Sequence, residues 1–99
     1  MSQETVRVIA RLKAMPGNEG EVRSIAAALI APTRREAGCI RYELLVDEAD
    51  PAELTFVEEW QNGDALNAHL ASPHVQYALS RYADLLAGEL ELRRYKLVE

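Results

Sequence analysis

Four segments of alternating or apolar strand pattern and two longer stretches of helical period follow one another in the order βαββαβ, and that order predicts an α+β fold. Two features support it. The second and third strands are separated only by a short polar connection holding Asp50-Pro51, which makes them a hairpin. Each of the two helical stretches ends at a glycine, Gly38 and Gly88, before a new strand begins. Right-handed crossovers then leave one arrangement, the ferredoxin-like one: a four-stranded antiparallel sheet with the helices on one face.

The elements follow in order. Residues 5–14, TVRVIARLKA, alternate, with Val6, Val8, Ala10 and Leu12 on one face and Arg7, Ile9, Arg11 and Lys13 on the other. Met15-Pro16-Gly17-Asn18 is turn chemistry. From Glu19 the period changes to that of a helix, and Val22, Ile25, Ala26, Leu29 and Ile30 form its stripe. Pro32 should kink that helix or divide it, with helical residues continuing to Ala37. Cys39 to Asp47 is the second strand, with Ile40, Tyr42, Leu44 and Val46 expected on one face. Leu54 to Gln61 is the third, with Phe56, Glu58 and Trp60 together. Asn62 caps a short helix burying Leu66 and His69 or Leu70. Ser72-Pro73 restarts it as cap and first helical residue, and Val75, Leu79, Tyr82 and Leu86 make the new stripe. Glu89 to Val98 is the last strand, with Leu90 and Leu92 inward.

The 99 residues carry a net charge of -5 with no basic block, so nucleic acid and anionic membranes are poor partners. A chain of this length forms one domain, 1–99, with one core. The single cysteine, Cys39, excludes an internal disulfide and fits a reducing, cytoplasmic compartment. The N-terminal stretch has no apolar region of signal-peptide length, and no run approaches membrane-spanning length. The sheet face away from the helices carries Ile9, Leu45 and Val57 and has no cover within the chain, so a homodimer packed through its sheets is expected.

Three stretches, REAGCIRYELLVD at 35–47, FVEEW at 56–60 and ALNAHLASPHVQ at 65–76, resemble the antibiotic biosynthesis monooxygenase (ABM) domain family. Within it they are most similar to the small quinol monooxygenases. The most specific parts are the turn at Ala37-Gly38-Cys39 and the run from Trp60 to His74. The resemblance implies a dimeric ferredoxin-like fold with a pocket between sheet and helices in each subunit. It also implies oxidation of quinol or phenolic small molecules by O2 with no flavin, haem or metal. Related domains degrade haem or isomerise small oxygen-rich metabolites. The haem-degrading pattern places Asn, Trp and His where this chain has Ala10, His69 and Leu79, so haem ligation is not implied.

His69 is the candidate catalytic base. A neutral imidazole can take a phenolic proton, leaving an electron-rich anion able to react with O2 directly. Its other reading is a buried His bonded to a strand carbonyl or to Glu58. The candidate substrate-binding residues are Trp60, Glu58, Tyr42, His74, Tyr77 and Tyr82. Trp60 offers a flat wall for an aromatic ring or is a core residue. An inward Glu58 must bind something or pair with Arg41, His69, a Tyr, or a basic strand residue. His74, in the first turn of its helix, lines the pocket mouth or is a solvated polar group, and the tyrosines are core or rim residues with usable hydroxyls. Cys39, with no nearby base in sequence, is a small apolar residue. No metal site is expected, because the Ser-Pro break sets His69 and His74 awkwardly for shared coordination with Glu58. A non-catalytic dimer that binds a small aromatic is the remaining alternative.

Overall fold

The computed structural model describes residues 4–99. Its elements are β1 (Val6–Lys13), α1 (Glu19–Ala27), α2 (Ile30–Arg34), β2 (Cys39–Val46), β3 (Glu53–Trp60), α3 (Gly63–Leu70), α4 (Pro73–Leu85) and β4 (Glu91–Tyr95). The sheet runs β2-β3-β1-β4 and every pairing is antiparallel. This is the ferredoxin-like βαββαβ arrangement.

The alternation read in β1 and β3 is the core face of the sheet. Val8, Ala10 and Leu12 are buried opposite Glu58, Phe56 and Leu54. Val22 and Ala26 of α1, Leu66 of α3, and Ala78 and Tyr82 of α4 close over them. Trp60 is fully buried at the end of β3, and truncating an aromatic so placed to Ala costs about 3–5 kcal/mol.

Three features differ from expectation, each for a local reason. The first helix is two helices. Pro32 cannot donate to the carbonyl of Ala28 and its ring crowds that group, so the chain breaks at Ala28–Leu29, one turn before the proline. In β2, Cys39 faces Trp60 but Arg41 already faces Glu59, which leaves Ile40 as the extra residue of a bulge. Ile40 is therefore 54% exposed instead of sharing the buried face of Tyr42, and Cys39 turns inward. The last strand stops at Tyr95, as β4 is an edge strand paired only with β1.

Gly38 joins the two halves. Its φ is +85°, and a Cβ there would stand 2.6 Å from Cβ of Ala65 in α3. Its carbonyl accepts from the Gln61 amide at 2.8 Å. The α2–β2 loop is thus pressed against the start of α3, and this contact brings Glu36 beside the α3–α4 corner. Among the described residues, no helix is long and apolar enough to cross a membrane.

Candidate active site

A cavity of about 140 Å³ lies between sheet and helices. Ala10, Leu12 and Phe56 form its floor, Leu29, Val75, Ala78 and Leu79 its helical walls, and Leu90 and Leu92 its far side. Four residues with polar side chains are among those that line this largely apolar cavity: Tyr42, Glu58, His69 and Tyr82. An open depression between α4 and the β4 approach shares Leu79, Tyr82 and Leu90 with the cavity and leads to solvent.

His69 is the next-to-last residue of α3 and is 3% exposed. Its ring stacks on Trp60, with centroids 4.6 Å apart, and meets Tyr42 edge-on at 5.4 Å. Nδ1 lies 3.1 and 3.0 Å from the two carboxylate oxygens of Glu36. A carboxylate accepts, so Nδ1 carries the proton and Nε2 keeps its lone pair. His69 lines the cavity and Glu36 does not. Burial pushes the His69 pKa below its ordinary 6.5, against the opposing pull of Glu36. The ring is therefore neutral at pH 7, and its contact with Glu36 is an N–H···O hydrogen bond.

Glu36 also holds the second imidazole. His74 Nε2 sits 2.5 Å from Glu36 Oε2 and 3.3 Å from Ser72 Oγ. That hydroxyl donates to the His69 carbonyl at 2.6 Å while capping α4 through the Val75 amide. The cap of the second helix and the end of the first are thus tied into one corner.

Glu58 is 4% exposed on the central strand. Trp60 Nε1 donates to its Oε1 at 2.9 Å. Burial raises its pKa to about 7, the Trp60 hydrogen bond opposes the shift, and Glu36 adds to it. Tyr42 is raised well above the ordinary phenol value, first by burial and then by Glu58. Burial lifts Tyr82 to about 12. The Tyr82 hydroxyl is buried without a hydrogen-bond partner in the structure, an omission that costs about 1–3 kcal/mol unless something in the cavity supplies the bond.

The ABM model, described as antibiotic biosynthesis monooxygenase, matches residues 5–81. The chain belongs to the antibiotic biosynthesis monooxygenase family. Among relatives, sll1783 of Synechocystis is 31% identical over 98 residues, covering 99% of this chain and 67% of that protein. Rv0793 of Mycobacterium tuberculosis, provisionally named a monooxygenase, is 37% identical over 81 residues, covering 82% and 79% of the two. Its solved structure superposes with a TM-score of 0.91 at 29% identity and covers 96% of each chain. PA3566 of Pseudomonas aeruginosa gives a TM-score of 0.92 at 26% identity, with 100% of this chain and 99% of that one covered.

Ala10, His69 and Leu79 all line the cavity. Of the residues read from the sequence, His69, Glu58, Tyr42 and Tyr82 converge on the cavity. Trp60 backs His69 and is not itself a wall. His74 stands behind His69 on Glu36, one quarter exposed. Tyr77 is turned away: it is 58% exposed, and its hydroxyl accepts from Arg81 at 2.8 Å. The partner of His69 is Glu36 and not Glu58. Glu36 lay inside the REAGC stretch, but nothing local marks it, as its partners are 33 and 38 residues away. The two histidines do reach one atom across the Ser-Pro break, through this unforeseen carboxylate.

Proposed function

We propose that this protein is a monooxygenase-like enzyme that oxidises one-ring quinols or related phenols with O2, using His69 as the base. One observation supports the reading: a buried imidazole that lines a small apolar cavity has one nitrogen held by a carboxylate, and in this reading its other nitrogen faces the cavity. A carboxylate–imidazole pair of this kind fixes the tautomer, aims the free lone pair, and stabilises the imidazolium that forms on proton transfer. The cavity size fits a single ring, since an apolar cavity of ~150 Å³ accepts benzene. Tyr82, with its unpaired hydroxyl, donates to an oxygen of that ring, and Tyr42 and Phe56 pack on its faces.

In this reading His69 Nε2 takes the phenolic proton and the anion reduces O2. For a hydroquinone the products are a hydroxyquinone and water. One oxygen atom joins the ring, the other leaves as water, and the substrate supplies all four electrons. The chain's own contribution is the base, the dry cavity and the orientation. A homodimer through the open sheet face and a reducing, cytoplasmic setting for the free Cys39 thiol belong to the same proposal.

A second reading has a specific observation behind it. Glu58 and His69 are two proton carriers on one cavity, as a proton-shifting isomerase of a small oxygenated metabolite requires. Oxygen-electrode assays with a panel of one-ring hydroquinones separate the two. Substrate-dependent O2 uptake, lost in His69→Gln, supports the oxygenase. Solvent-deuterium incorporation without O2 uptake overturns it in favour of the isomerase.

A further inference from the structure

We propose that Glu36, His69 and His74 form a binding site for a divalent transition cation of the zinc class, set behind the cavity and not within it. The three ligand atoms, Glu36 Oε2, His69 Nδ1 and His74 Nε2, all lie within 4.8 Å of one another. Glu36 Oε2 is 3.0 Å from the first nitrogen and 2.5 Å from the second. Ligand atoms on a tetrahedral zinc with bonds of ~2.0–2.2 Å stand ~3.3–3.6 Å apart, so the ion is admitted when Glu36 and His74 open slightly and the two imidazole nitrogens, within 4.8 Å of each other, close on it. Two imidazole nitrogens with one carboxylate oxygen form a donor set for zinc and its borderline neighbours. Calcium and magnesium prefer oxygen alone.

The framework is built rather than accidental. Each ligand comes from a different segment: Glu36 from the α2–β2 loop, His69 from the end of α3, His74 from the first turn of α4. The Trp60 stack fixes the His69 ring and the Ser72 cap fixes the α3–α4 corner. Side-chain exposure rises from 3% at His69 through 18% at Glu36 to 26% at His74. The cluster is therefore closed on its inner side and open to solvent on its outer side, which gives the ion a path in and water a place to complete its shell.

Occupancy has a consequence that rests on the function proposed above. A cation on Nδ1 of His69 takes the place of the proton there, and the neutral ring then carries its proton on Nε2. The edge facing the cavity changes from acceptor to donor, so the bound cation switches the base off. It does not enter the reaction, because the imidazole ring stands between it and the cavity.

The test is equilibrium dialysis of tag-free protein against zinc chloride, with metal counted by elemental analysis. Wild type is expected to hold one zinc per chain at micromolar free zinc. Glu36→Gln and His74→Ala should each weaken binding roughly tenfold or more, and Cys39→Ser should bind as wild type does. Circular dichroism establishes that the variants are folded, and His74→Ala, at a part-exposed position, removes a ligand without opening the core. No retained zinc, or zinc retained equally by wild type, Glu36→Gln and His74→Ala, overturns the site. Dialysis needs no substrate. A zinc site in a protein that consumes no O2 leaves this inference standing and the oxygenase reading fallen, and the opposite pair of results does the reverse.

Discussion

At the scale of single residues, Glu36 sets the orientation and tautomer of His69. Replacing His69 by Gln keeps a hydrogen-bonding side chain but removes the proton acceptor, and turnover should fall by roughly 10²–10⁴-fold. His69→Ala should lose as much and should also cost stability, since the ring it removes is buried against Trp60. Glu36→Gln should lower kcat with KM less affected, because Glu36 orients the ring without touching substrate. Removing Glu36 also removes the pull that raises the His69 pKa, so the acid limb of the rate profile should move to lower pH. It is best read in a Glu58→Gln background, which removes the other cavity group that titrates near neutrality.

Glu58 itself gives a stability prediction. Folded Glu58 keeps its proton to about pH 7, whereas an ordinary Glu loses it near 4.5. Between those values the folded state binds more protons than the unfolded one, so stability falls as pH rises, by at most on the order of 3 kcal/mol. Urea titrations should find Glu58→Gln little changed at acid pH and more stable than the parent, by roughly 1–3 kcal/mol, at alkaline pH. Equal curves at both ends would show that Glu58 is not held protonated. Strand and helix period put Glu58 on the face of Phe56 and Trp60 and Tyr82 in the α4 stripe, but left His69 and Leu70 as alternatives for the buried place in α3, which His69 takes. Glu36 was not, because a loop carboxylate has no period and its role arises only when α2–β2 meets α3–α4.

At the scale of elements, the joint between those two corners is Gly38. Gly38→Ala brings a Cβ into Ala65 and forces a side chain onto a positive φ, and should cost at least about 2 kcal/mol in a urea titration. Adding Ala65→Gly should recover the steric part and leave about 1 kcal/mol of backbone strain. Full recovery in the double variant would mean that the φ is not enforced. The order of elements was readable because each change of period coincides with a turn or cap: Met15-Pro16-Gly17, Gly38, Asp50-Pro51, Asn62, Ser72-Pro73. Asn62 and Ser72 cap as their types predict, accepting from the amides of Ala65 and Val75. The bulge at Ile40 was hidden because a single inserted residue leaves alternation intact on either side of it and only pairing reveals the shift. The break before Pro32 was foreseen in kind but placed late, as the damage a proline does falls on the preceding turn.

At the scale of the molecule, the outer sheet face defines what remains exposed. Ile9 pairs with Val57 on that face, and Leu45 and Tyr95 on the flanking strands are about half exposed. Sedimentation equilibrium at micromolar concentration should give twice the chain mass, and Val57→Lys, placing a charge at the centre of the face, should shift it toward the chain mass. A monomeric parent would remove the proposed dimer while leaving the cavity argument intact, because every group in that argument comes from one chain.

Whether His69 takes a proton from a phenol held in the cavity is read most directly by anaerobic absorption spectroscopy, which requires no turnover. A one-ring phenol whose anion absorbs apart from its neutral form is bound and the complex is titrated with base. Burial favours the neutral forms of both the imidazole and a phenol, so the transfer shows as a shifted midpoint: the phenolate band should appear at lower pH on the parent protein than on His69→Gln. Equal midpoints, or a lower midpoint on His69→Gln, would contradict it.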